Sequence, residues 1–385
     1  MEAIELLEII ERGEDSRHQF KRNVTNVTSL SQEICAFANS KGGMLIIGVD
    51  DSGEIIGLTA QDIRRLNQLI SNAASEIRNP INPETENIKI EDKLVLVVHV
   101  PEGRDKPYFA SDGAIYVKSG ADKRKVTSKE ELRRLFQESD ILHGDQVPVE
   151  ESTLDDLDED YFDQFYQKEF DHSFREESVD LKILLSNLNL AKDDRLNIAG
   201  LLLFGKYPQK YKPQFNIKAV HFVGTEDTSD EYIDSEDING KLAEQYRNGM
   251  VFILRNLKKE QKGQHRNSLG ETRIDKGVFE ELLVNALIHR DYFINAPIRL
   301  FIFDDRIEII SPGILPNNLT VENIKHGVSN QRNPIIASFA TKQKPPLGLP
   351  YRGIGTGIKR ALKLYPKIEF ENNVERNLFV AKISF

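Results

Sequence analysis

Three polar side chains recur at four-residue spacing in the segment from Phe279 to Tyr292: Glu281, Asn285 and His289. At 100° per residue Asn285 falls near 40° and His289 near 80° from Glu281, while Leu282, Leu283, Val284, Ala286, Leu287 and Ile288 fill the rest of the circle. A helix apolar almost all round is buried, so its narrow polar stripe must meet a pocket, a ligand or a polar partner. A structural Glu/Asn/His network inside a core is the plain alternative. Further on, Gly353, Gly355 and Gly357 stand just before the helix-forming run Ile358-Lys359-Arg360-Ala361-Leu362. Backbone N–H groups and the positive end of a helix there could cradle phosphates, although glycine runs also serve as simple turns.

A second set is basic. Lys21 and Arg22, with a loop carrying Lys118, Lys123, Arg124 and Lys125, suit nucleic-acid backbone phosphates; a solvated basic face is the alternative. The single cysteine, Cys35, cannot form an internal disulfide and reads as core packing. His18 and His289 have no Cys or His at ligand spacing, which argues against zinc.

The elements that position these groups follow from periodicity. A short amphipathic helix carries Ile4, Leu6, Leu7, Ile9 and Ile10 and stops at Gly13. A second runs from Ser29 or Ser31 to Lys41-Gly42-Gly43, followed by an apolar and therefore central strand from Met44 to Val49. Strands are expected at 87–91, 94–100 and 114–118, and a helix at 128–137. In the second half, 197–204 and 215–223 read as strands, 238–257 and 276–289 as helices, 298–310 as a hairpin, and 367–371 and 378–384 as closing strands. The mixture predicts an α+β protein.

At 385 residues the chain should form two domains. Its net charge is −10, but residues 138 to 180 hold 16 acidic and 2 basic residues, leaving 45 acidic against 49 basic elsewhere. The acidity belongs to one segment, whose aromatics Tyr161, Phe162, Phe165, Tyr166, Phe170 and Phe174 predict a partly helical connector docked on a neighbour. No apolar run approaches the roughly 18 residues of a membrane span. The acidic N-terminus argues against export, so a cytoplasmic location is expected, and no room is expected for a winged helix after the last strand.

Glu281 to Asn285, the turn Ser311-Pro312-Gly313 and Gly353-Ile354-Gly355-Thr356-Gly357 resemble the GHKL ATP-binding fold of gyrase, MutL and histidine kinases. The run from His289-Arg290-Asp291-Tyr292 through Ser329 to Pro334 is closer still to the divergent GHKL-like domain of bacterial proteins labelled transcriptional regulators or RecG-like helicases. By that resemblance Asn285 holds Mg²⁺ against the phosphates of ATP, Glu281 activates water, and Gly313 shapes the floor. Gly353, Gly355 and Gly357 would wrap the phosphates, with Arg332 and Lys359 as charge partners. One departure is plain: where the family has Asp-x-Gly-x-Gly to grip adenine, this chain has Ser311-Pro312-Gly313-Ile314-Leu315.

Glu14 to Lys21, Ala36 to Gly53 and Tyr116-Val117-Lys118-Ser119-Gly120 resemble the Schlafen AlbA-type domain, which implies contact with DNA or RNA. Some such domains are metal-dependent nucleases built on two Glu and an Asp. Glu14 and Asp50 could fill two places, but Gln19 stands at the third, which argues against cleavage.

The expected organisation is an AlbA-like domain at 1–140, an acidic connector at 141–190 and a GHKL-like α/β sandwich at 191–385. The leading function is a cytoplasmic, homo-oligomeric regulator binding nucleic acid, ATP and Mg²⁺, with slow hydrolysis or none. The alternatives are a nucleotide-gated nuclease of phage defence and an assembly module with a degenerate nucleotide site.

Overall fold

The computed structural model describes residues 1–139, 142–228, 231–257, 259, 260, 271, 272, 274–316, 319–342 and 345–385. It divides into two compact units, 1–142 and 143–385, and is α+β throughout.

In the first unit α1 (Ala3–Arg12) ends at Gly13, whose φ is 83°. Strand β1 (His18–Lys21) leads to α2 (Val27–Asn39), opened by Asn26, whose side chain accepts from Ser29 N. Then come β2 (Gly43–Ile47), α3 (Ala60–Ser75), β3 (Glu84–Ile90), β4 (Lys93–Val100), β5 (Tyr116–Ser119), β6 (Asp122–Lys125) and α4 (Lys129–Glu138). The sheet order β1-β2-β4-β3 makes β2 internal, as its apolar run predicts. The α2–β2 turn needs glycine, because a Cβ on Gly42 (φ +67°) would lie 2.7 Å from Glu102 N.

Two features of this unit depart from the sequence reading. Helix α3 has no counterpart there, although Thr59 and Asp62 form a reciprocal capping box and Ile63, Leu66, Ile70 and Ala73 are buried on one face. The basic stretch 118–125 is no loop: β5 and β6 form a hairpin pairing Lys118 with Lys123.

In the second unit, α5 (Glu159–Phe170) and α6 (Leu181–Asn187) precede the two-residue strands β7 (Ala191–Lys192) and β8 (Arg195–Leu196). Next is α7 (Ile198–Phe204), expected as a strand. All seven of its residues are buried, and an apolar run that short carries no period to separate the two readings. Asn197 decides the outcome by accepting from Gly200 N at 2.8 Å as N-cap. The order continues α8 (Pro208–Tyr211), β9 (Ile217–Phe222), β10 (Tyr232–Ile238), α9 (Leu242–Asn256), β11 (Lys259–Glu260), β12 (Glu271–Thr272) and α10 (Lys276–His289). It closes with β13 (Ile298–Ile302), β14 (Arg306–Pro312), α11 (Val321–Lys325), α12 (Pro334–Thr341), α13 (Gly357–Leu364), β15 (Ile368–Asn373) and β16 (Leu378–Ser384).

A six-stranded sheet of order β10-β9-β13-β14-β16-β15 is antiparallel except for β9–β13. Helices α9 and α10 pack on it, and α13 packs on α10. From His143 onward the acidic segment is part of this unit: Phe162 and Phe165 meet Phe204 at 5.2 and 5.3 Å, and Phe165 meets Phe339 at 5.4 Å between ring centroids. Asp145, fully buried, caps α12 by accepting from Ile335 N (2.8 Å) and Ile336 N (3.0 Å). Burial pushes its carboxyl up to about 6 against these favourable bonds.

Candidate functional sites

The polar stripe of α10 faces a pocket. Glu281, Asn285 and His289 line it together with Ser311, Gly313 and the loop from Tyr351 to Gly357, around a cavity of about 120 Å³. Asn285 Nδ2 donates to Glu281 Oε1 and to Glu281 O, both at 2.6 Å. Its nitrogen is spent on its own helix and Oδ1 is left to accept or ligate. The other Glu281 oxygen, Oε2, accepts from Arg360 Nη2 at 2.7 Å.

The glycine loop is shaped by this carboxylate. A Cβ on Gly357, the first residue of α13, would lie 1.5 Å from Glu281 Oε1, so any side chain there would displace it. His289 Nε2 lies 3.1 Å from Tyr351 Oη. Burial, and then the charge of Arg332, hold its imidazole down at about 4, so it is neutral at physiological pH. On the floor, Phe370 and Phe379 stack at 5.9 Å with an angle of 18°. Ser311 Oγ donates to Ala286 O at 3.3 Å, and Glu281 is the only acidic side chain among the described lining residues.

Five of the sequence-selected residues therefore line the pocket with Asn285 and Gly313: Glu281, His289, Gly353, Gly355 and Gly357. Arg332 and Lys359 do not. Arg332 donates to Ile314 O (2.6 Å) and His289 O (3.4 Å) and braces the Gly313 turn from behind. Lys359 is exposed on α13, its stem beside Gly327. The cations that do line the pocket, Arg352 and Arg360, carried no signal in the sequence. The His289-Arg290-Asp291-Tyr292 run is largely bracing. Arg290 donates to Ile294 O and Ala296 O, and Asn333 Nδ2 closes the end of α10 by donating to Ile288 O and Arg290 O at 2.8 Å each.

In the first unit the selected residues divide differently. Lys118 is almost wholly enclosed: Nζ donates to Gln19 Oε1 at 2.8 Å and to Ala121 O, lies 4.0 Å from Glu33, and stands over the Phe37 ring. Desolvation lowers its pKa against the pull of Glu33 and Glu14. Lys123 reaches Glu33 Oε1 at 3.0 Å and Ser29 Oγ at 3.1 Å, and Arg124 forms a two-bond pair with Glu131. The side chains of Lys21, Arg22 and Lys125 make no hydrogen bond or ion pair among the described residues. Glu33, which joins the two lysines, was not singled out by sequence. Its only trace is a charge in the otherwise uncharged second half of α2.

Glu14 and Asp50 are each engaged by backbone and side-chain groups of their own neighbourhood. Glu14 Oε1 accepts from Phe20 N at 2.6 Å, whereas Asp50 Oδ1 accepts from Ser52 Oγ, Ser52 N and Glu54 N and caps its own turn. The Ser52 hydroxyl, above all, lowers the Asp50 pKa. Among the described residues no group of three His, Cys, Asp or Glu could hold a metal ion. No helix among them is long and apolar enough to cross a membrane.

Comparison with known proteins assigns these regions. Residues 14–127 match the family described as Schlafen, AlbA_2. Residues 295–378 match the one described as "Putative ATP-dependent DNA helicase recG C-terminal", a stretch that begins after Glu281 and Asn285. Residues 133–218 match a domain of unknown function, DUF8451. Among solved structures, a crystal structure from Corynebacterium diphtheriae is 19% identical, covering 99% of this chain and 79% of that one with a TM-score of 0.47. The solution structure of the N-terminal domain of a RecG-related protein from Nitrosomonas europaea is 27% identical, covering 34% and 96%, with a TM-score of 0.24.

Proposed function

Because the chain carries an N-terminal Schlafen AlbA_2 domain and a RecG C-terminal-like ATPase-type domain, we propose that it is a nucleotide-binding regulator that contacts nucleic acid. The observation that carries this reading is the convergence of Glu281, Asn285 and the Gly353–Gly357 loop on one pocket. Glycines leave backbone N–H groups accessible to phosphate oxygens, and Arg352, exposed at the rim, adds positive charge.

A magnesium ion fits the donor set. It takes oxygen ligands, needs few from protein when phosphates supply the rest, and Asn285 Oδ1 is the oxygen that the Glu281 contact leaves over. Mg²⁺ would neutralise phosphate charge there. In this reading Glu281 accepts a proton from water, and the stacked Phe370 and Phe379 offer a face for a base. The family's aspartate has no replacement among the described lining residues, so base recognition falls to backbone groups and Ser311.

Nucleotide acts, in this reading, by ordering the segment from Ser329 to Gly357 and so changing how domains or subunits of a homo-oligomer meet. Lys21, Arg22 and Lys125 are the cations available to DNA or RNA phosphates. Calorimetric titration with ATP and Mg²⁺ tests the proposal: the native protein should bind in the micromolar range and Asn285→Ala should not. Unchanged affinity in that variant would remove Asn285 from the site. The Glu281–Arg360 pair and the small cavity favour one other reading, an assembly module without ligand, which absence of any binding heat or thermal stabilisation would select.

A further inference from the structure

Arg360 is the pocket's least explained group. It reaches across 79 residues of sequence to Glu281, yet makes that contact through Nη2 alone. A guanidinium has five N–H donors in a planar fork and pairs most strongly with two parallel bonds. Its Nε is buried and has no hydrogen-bond partner among the described residues. A buried unpaired donor costs free energy unless something comes to satisfy it.

The surroundings supply the direction. Arg360 is the fourth residue of α13, whose first, Gly357, is pressed against the Glu281 carboxylate. Arg360 therefore stands where the glycine loop hands over to the helix. Glu281 is also held by Asn285, so the Arg360 bond is not needed to fix its position. The cavity of about 120 Å³ is well below the roughly 300–1,000 Å³ of ordinary ligand clefts, so a nucleotide must move something to enter. A single-bond ion pair, with the Arg360 side chain 40% exposed, is a weak closure.

We propose that Arg360 is the specificity-determining residue by which this pocket selects a nucleoside triphosphate over a diphosphate. This rests on the nucleotide reading given above. Without ligand, Arg360 neutralises Glu281. A terminal phosphate, with more charge and three acceptor oxygens, competes for the guanidinium and engages both Nη2 and the unpaired Nε. The exchange releases Glu281 Oε2 in the same movement, so the carboxylate is uncovered only when a third phosphate is present. A diphosphate ends too early to compete and leaves the pair closed.

The test is calorimetric titration of the full chain with Mg²⁺ and either ADP or the imido analogue of ATP. It compares native protein with Arg360→Ala, and Glu281→Gln with Glu281→Gln/Arg360→Ala, the second pair removing any repulsion from an uncovered carboxylate. Native protein should prefer the triphosphate by roughly ten- to hundredfold, the worth of a charge-assisted hydrogen bond. That ratio should fall to within about threefold of unity in both Arg360→Ala backgrounds, while diphosphate affinity holds in the Glu281→Gln pair. A preference that survives in both backgrounds, or native protein that binds the two ligands equally, overturns the role of Arg360 and leaves the pocket a nucleotide site. Native protein that binds neither ligand overturns the nucleotide reading itself.

Discussion

The two units use their cations in opposite ways. In the first, Lys118 and Lys123 are turned inward onto Gln19 and Glu33 while Arg124 pairs with Glu131 at the surface, so the basic hairpin is held by the charges it displays in sequence. In the second, Arg352 and Arg360 stand at the rim and wall of a pocket, one without an ion pair among the described residues and one with an unspent donor. A cluster of Lys and Arg therefore measures ligand-binding potential poorly until its carboxylate partners are known.

The largest expected effect breaks this contrast directly. Lys118→Met should destabilise the first unit by about 1.5–3 kcal/mol, because it leaves the buried Glu33 with Lys123 alone and Gln19 without its donor. Calorimetric unfolding reads it; a loss below about 1 kcal/mol would mean that Lys118 is not the internal strut described above.

A smaller effect sharpens the contrast within the second unit. The Asp145 pKa is raised on folding to about 6, so its contribution is fully present below the unfolded value near 4 and is lost as pH rises through 6. Between pH 8 and pH 5 native protein should gain about 1.4 kcal/mol relative to Asp145→Asn. Parallel stability curves for the two proteins would show that the carboxylate is not desolvated.

The smallest effects concern the exposed lysines. Lys125→Ala should leave thermal stability unchanged and weaken oligonucleotide binding evenly across sequences, lowering the salt slope by about one, as read by fluorescence anisotropy. Lys359→Ala should change nucleotide affinity by less than about twofold; a larger loss would return that residue to the site.

Legibility from sequence followed how far each signal reaches along the chain. Helix α10 was expected at its observed bounds because its polar stripe is local and periodic, and the glycines of the loop announce themselves by type. Helix α7 misled because seven apolar residues in a core have no exposed side to betray a period. Helix α3 carries a quiet signal, the Thr59–Asp62 cap, since only four of its sixteen residues are buried. Glu33 and Arg360 leave almost no mark in the sequence because their partners lie 90 and 79 residues away, and long flexible side chains choose partners in space. The same reach explains why Arg332 and Lys359 were expected in the pocket and stand outside it.

The aromatic contacts of the 143–190 segment also limit how the chain can be divided. A fragment beginning at residue 191 would keep Phe204 and Phe339 but lose Phe162, Phe165 and the Asp145 cap of α12, uncovering an oily face and two orphaned amides at once. Such a piece should be sticky and prone to precipitate. A cut just before His143 severs none of these contacts, which makes that point the natural seam for dissecting the protein or for joining its second unit to another partner.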